Sequence, residues 1–142
     1  MIKLNIINET DYVIDAKLLK KIAKTASFEL SIREKLFLNV LFTSNNTIHD
    51  YNLKYRNIDS ETDVLSFPSD EKRELGDIII SIEKARSQAK EYNHSLKREI
   101  SFLLIHGILH CMGYDHSTKE EETIMFNLQE KILEKAGITR ND

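Results

Sequence analysis

Cysteine occurs once, as Cys111, so no disulfide can form within the chain, and a reducing compartment fits that usage. No apolar run approaches the ~18 residues that a membrane span requires. The opening residues MIKLNIINETDYVI carry no basic segment followed by an apolar core of signal-peptide length, and Glu9, Thr10 and Asp11 interrupt them. A cytoplasmic protein without a membrane partner is the expectation. Proline occurs once, as Pro68, glycine only four times, and no linker, repeat or low-complexity tract divides the chain. An excess of positive charge is missing too. The net charge of −3 argues against the extended basic surface of bulk nucleic-acid binders and leaves room only for a local basic cleft.

What is present suits one globular domain. The chain has 142 residues, of which 41% are hydrophobic and 30% charged. A chain of that size buries roughly 68–70% of its unfolded surface, enough for an apolar core without staples. Alternation of apolar and polar residues predicts strands over Ile2–Ile7 and Lys35–Ser44, the second with Leu36, Leu38, Val40 and Phe42 on one face. Further strands are expected over Thr62–Pro68 and Leu75–Ser81. The short polar loop between them makes these two an antiparallel hairpin.

Helical periodicity places Leu18, Leu19, Ile22, Ala23 and Ala26 on one face of a helix capped by Asp15, with Lys17, Lys20, Lys21 and Lys24 solvated opposite. A short helix is expected from about Asn46 to Tyr55, and another, capped by Ser81, to about Tyr92. Leu96–Met112 is apolar over most of its circumference and should be buried, with Gly113 as its stop. A capping box, Ser117 with Glu120 or Thr118 with Glu121, opens a last helix to about Ala136. The expected fold is a single α+β domain, a mixed sheet of about four strands packed with about five helices.

Three of the five histidines fall within the stretch HGILHCMGYDH. Residues four apart on a helix sit about 40° apart around the axis, so His106 and His110 share a face. Their nitrogens can converge on one point about 2.0–2.1 Å from each, as zinc requires. Gly113 lets the chain turn back, so His116 can supply a third ligand. Three protein ligands leave one tetrahedral position open, as in catalytic rather than structural zinc sites. Without a metal, three imidazoles in an apolar helix and its turn would each need a separate polar partner.

The spacing is that of the zinc-protease helix H-E-x-x-H-x-x-G-x-x-H, which makes this a metzincin-like metal-binding helix. Here Gly107 stands where those enzymes carry the glutamate that serves as general base. Glycine leaves room for a metal and removes that base, so peptide hydrolysis is the second reading. Cys111 points about 100° away from His110 and should be a small buried side chain rather than a ligand. Asp115 could orient an imidazole or a water, or could simply shape the turn. Tyr114 packs over the turn, and His49 and His94 are assigned no role. A second segment, YRNIDSETDVLSFP, sets Arg56, Asp59, Asp63 and Ser66 beside a strand that reaches the core; alone it reads more readily as loop ion pairs and turn formers than as a site.

Taken together, and in this order along the chain, YRNIDSETDVLSFP, LGDIIIS and HGILHCMGYDH resemble the YbeY family of metal-dependent endoribonucleases. The resemblance runs from about Asn52 to His116; the N-terminal strand and helix carry no matching motif. It implies an α+β fold with a mixed four-stranded sheet. It also implies one zinc ion on His106, His110 and His116, with Arg56 lining the cleft beside the metal. The implied activity is single-strand-specific RNA cleavage in ribosomal RNA maturation, including small-subunit processing, and in ribosome quality control. The implied partners are single-stranded RNA, ribosomal RNA precursors, and the ribosome or its associated factors.

The chemistry agrees. Phosphodiester hydrolysis builds negative charge on phosphate oxygens, which zinc can accept as a Lewis acid and a guanidinium fork can match. No side chain in the motif is an obvious general base. A metal-activated water could attack unaided, or Asp115 or Asp63 could assist. Two further readings stay open, an assembly factor that binds RNA without cutting it and a purely structural zinc domain. The second would normally close the fourth position, and no further histidine or paired cysteine lies near enough in sequence to do so.

Overall fold

The computed structural model describes residues 1–139. Among them nine elements follow one another: β1 (Ile2–Asn8), α1 (Ala16–Glu29), β2 (Leu36–Thr43), α2 (Asn45–Arg56), β3 (Val64–Pro68), β4 (Glu74–Ser81), α3 (Ile82–Glu91), α4 (Leu96–Cys111) and α5 (Lys119–Lys135). The strands form one mixed sheet in the order β1-β2-β4-β3. β1 and β4 run parallel to β2, and β3 is the antiparallel partner of β4 in the expected hairpin. The expected single α+β domain, with four strands and five helices, is the one observed. No helix among the described residues is long and apolar enough to cross a membrane.

The sheet buries both faces unequally. Leu38, Val40, Phe42, Ile78 and Ile80 are fully buried on one face, in a core shared with Leu19 and Ile22 of α1, Leu104 and Ile108 of α4, and Ile132 of α5. The other face carries Leu65 and Ile79, which form a smaller cluster with Ile48 of α2, partly covered by Leu41, Tyr51 and Phe67. The lysines of α1 lie on its exposed side, as their spacing predicts.

Two element ends bear on the site. α2 is longer by a residue at each end, so Arg56 sits in its last turn rather than in the following loop. Ser44 opens this helix by accepting from the Thr47 N–H. Asn57 closes it in the left-handed conformation at φ 57°, which a short amide side chain tolerates. Of the two possible capping boxes before α5, Thr118 and Glu121 form the real one, with reciprocal bonds of 3.1 and 3.2 Å. The Ser117 hydroxyl instead donates to Asp115, 2.7 Å away.

α4 is buried nearly all round, as its composition requires, and it lies very close to the sheet. A Cβ placed on Gly107 would come 2.6 Å from Ile78 Cδ1, 3.0 Å from its Cγ1 and 3.1 Å from its Cγ2. Glycine is what allows the approach. Gly107→Ala is expected to destabilise the protein, because overpacking costs about 1–3 kcal/mol while the helix gains about 1 kcal/mol in propensity. Adding Ile78→Val removes the nearest carbon and should recover much of the loss in thermal unfolding. If Gly107→Ala alone is as stable as wild type, α4 can lift from β4 freely and the contact does not set its position.

Candidate metal centre

α4 ends as its sequence requires. The N–H of Gly113 bonds to the His110 carbonyl and that of Tyr114 to the Leu109 carbonyl, both at 3.0 Å, the paired bonds of a Schellman stop. Gly113 has φ 98°, a conformation that residues with a Cβ rarely adopt. The chain therefore reverses over the end of the helix. Asp115 fixes the return: its Oδ1 accepts from the His116 N–H and its Oδ2 from the Ser117 hydroxyl, each at 2.7 Å.

This turn carries His116 to the two histidines of α4. The Nε2 atoms of His106 and His110 lie 3.1 Å apart, and the His116 ring centroid is 5.6 and 5.1 Å from theirs. One nitrogen from each of the three lies within 4.8 Å of the others, an arrangement that could hold a metal ion. Bonds of about 2.0–2.1 Å to a tetrahedral zinc separate its ligand nitrogens by roughly 3.3 Å, so the donor set fits on both chemistry and scale. Burial first, and then the neighbouring His110 and His116, push His106 down to about 4. Burial, and then His116, lower His110 as well. Neutral imidazole, the form that binds metals, is thus favoured before any metal arrives.

His106 is gripped from both sides. Its ring stacks on Phe102, and its Nδ1 lies 2.9 Å from the side-chain amide of the buried Gln129 on α5. The histidines share a cavity of about 600 Å³ with Arg56, Asp63, Ser66, Tyr114 and Asp115. Arg56 reaches it from the end of α2 and wraps the edge strand β3. It donates to the Ser66 carbonyl at 2.6 Å, with its guanidinium carbon 5.3 Å from the centre of the Phe67 ring.

Asp63 also lines the cavity. Its Oδ1 accepts from the Val64 N–H at 2.7 Å and its Oδ2 from Gln88 at 3.2 Å. The same Gln88 nitrogen donates to the buried Glu99 at 2.9 Å, and Glu99 meets His94 at 2.6 Å. His94, assigned no role from sequence, thus ends a polar chain that runs to the cavity wall. His49 pairs with Asp59 at 2.6 Å, and neither lines the cavity.

One expectation changes here. Gly107 does not keep room for the metal: it faces Ile78 and lines no part of the cavity. Between the two readings of Asp115, its bonds are those of a turn-shaping residue, and the Ser117 hydroxyl, followed by the His116 N–H, holds its carboxyl below the usual range. Cys111 lies outside the cluster, as expected. Its sulfur packs against Gly76, and burial, with the Asp77 carboxylate, pushes the thiol up to about 12. Gln129, Gln88 and Glu99 were missed. The one readable signal was Gln129, a polar residue in the apolar stripe that Met125 and Ile132 make along α5.

The family model described as Endoribonuclease YbeY matches residues 5–137 of this chain. Endoribonuclease YbeY of Acholeplasma laidlawii is 53% identical over 111 residues, spanning 77% of this chain and 81% of that protein. Endoribonuclease YbeY of Bacillus subtilis is 40% identical over 154 residues, spanning 97% of this chain and 98% of that protein. The solution structure of a Thermotoga maritima protein superposes with a TM-score of 0.68 at 30% identity, covering 94% of this chain and 89% of that one.

Acid should weaken the metal-free protein through His106. In the unfolded chain this imidazole protonates near 6.5, whereas the folded one stays neutral down to about 4. Between those values the unfolded state binds more protons, so stability present above pH 6.5 is lost as pH falls towards 4. The thermal midpoint of metal-free protein should decline across that window, and less steeply in His106→Asn. Equal slopes for the two would place the acid sensitivity elsewhere.

Proposed function

The chain belongs to the YbeY family of endoribonucleases, and from that premise we propose that it cleaves single-stranded RNA in ribosomal RNA maturation, with zinc on His106, His110 and His116 and the scissile phosphate on Arg56. The observation that carries this reading is the convergence of three imidazoles and a guanidinium on one cavity. When bound, zinc supplies Lewis acidity to a phosphate oxygen and lowers the pKa of water towards ~7.

The chain's own residues do the rest. Arg56 has five N–H donors, of which one goes to the Ser66 carbonyl. Its fork can take two phosphate oxygens and offset the charge that grows on them as the phosphodiester is attacked. The Ser66 bond and the Phe67 ring hold it in place beforehand, so little reorganisation is needed at the moment of reaction.

Asp63 is the proton acceptor in this reading. It stands on the cavity wall, and its charge acts on His106. The oxygens of Asp115 are engaged by the His116 N–H and the Ser117 hydroxyl, so it serves to aim His116. The net charge of −3 supports delivery to RNA by the ribosome or an associated factor, because the chain has little non-specific attraction of its own for phosphate. Cleavage of ribosomal RNA in the cytoplasm, for maturation and for quality control, follows from that recruitment. A peptidase reading finds less support, since position 107 is glycine and is turned into the sheet.

Metal analysis of purified variants, with cleavage of a defined single-stranded RNA and a chelator control, tests the assignment. Arg56→Ala should keep one equivalent of zinc and lose about 10²–10³-fold in cleavage rate. Asp63→Asn should keep zinc and lose about 10²–10⁴-fold. His110→Ala should lose both metal and activity. Full cleavage by Arg56→Ala, or one retained equivalent of zinc in His110→Ala, would overturn the corresponding role.

A further inference from the structure

We propose that Gln129 is a positioning residue of the metal centre: its side-chain carbonyl accepts the Nδ1 proton of His106 and thereby leaves Nε2 as the free, metal-binding nitrogen. This rests on the metal reading above. Neutral imidazole carries one proton, and the nitrogen without it is the only one able to bind a metal. His106 Nε2 is the atom that faces His110, so the proton belongs on Nδ1. The Gln129 Nε2 position lies 2.9 Å from that Nδ1. The two ends of an amide occupy nearly the same positions, so chemistry decides which faces the ring. A proton on Nδ1 requires the oxygen there.

The placement suits the task. Gln129 is only 3% exposed and comes from α5, 23 residues along the chain from His106. It sits in the apolar stripe of α5 with Met125 and Ile132, where a polar side chain carries a desolvation cost that only a good partner offsets. Phe102 fixes the plane of the ring and Gln129 its rotation and tautomer. Partners on the nitrogen away from the metal commonly raise ligand basicity and affinity. The docking of α5 is in this way coupled to metal binding, although α5 supplies no ligand.

Competition against a chromophoric zinc chelator gives the affinity directly, apart from any cleavage. Gln129→Met keeps length and removes the acceptor, and zinc should bind about 10–100-fold more weakly. Gln129→Glu keeps an acceptor and should bind near the wild-type level. Wild-type affinity in a folded Met variant, or an equal loss in the Glu variant, would overturn the inference. Should the Met variant fail to fold, ¹⁵N spectra of the metal-free wild type still decide. A proton on His106 Nδ1 supports the inference, and a proton on Nε2 overturns it. A wild type that takes up no zinc fails the metal reading itself, and the tautomer then tells separately whether the Gln129 carbonyl faces His106.

Discussion

The close approach of α4 to β4, allowed by the missing side chain at Gly107, is the contact on which the site depends. It seats a helix with two of the three histidines directly on the sheet, within reach of the residues that β3 and α2 bring to the same cavity. Close-packed interiors resist deformation, so ligands carried on such a helix hold their spacing. Position 107 also separates this centre from the zinc proteases with which it shares a histidine spacing. A longer side chain there would meet Ile78 before it met a substrate. The helix is built to be pressed against a strand, and position 107 offers the cavity no side chain.

Four other parts of the chain line that cavity or touch its histidines. Arg56 arrives from the end of α2, Asp63 from the approach to β3, His116 from the turn after Gly113, and Gln129 from α5. Buried polar groups need partners, and here the need is met by chains rather than isolated pairs. Glu99, almost wholly buried, meets both His94 and Gln88, and Gln88 passes the connection to Asp63. α3, α4 and the wall of the cavity are thereby tied by hydrogen bonds as well as by apolar contact.

Much of this was legible in order along the chain. Alternation in Leu36–Phe42 set the buried face of β2, and the apolar girth of Leu96–Leu109 foretold a buried helix. The spacing of His106 and His110, with a glycine stop before His116, foretold a shared centre. These are local patterns, set by helix and strand periods and by the backbone freedom of one residue. Arg56 falls just beyond the helix that periodicity predicts, because the signals that close α2, a left-handed Asn57 above all, are weak in sequence. In sequence alone Gly107 looks like room for a metal, because nothing local says that Ile78 will lie above it.

The histidine constellation is written locally in the chain: two imidazoles one turn apart, a turn that must reverse, and a third imidazole behind it. The sequence also carries the family motifs in their order. Packing between elements sets the strand order β1-β2-β4-β3, brings Arg56 and Asp63 to the histidines' cavity, and lays Gln129 against His106. The division has a physical cause. Helical and turn geometry act between residues a few positions apart, whereas the partners of a buried polar atom are chosen by packing among elements that sequence distance does not rank.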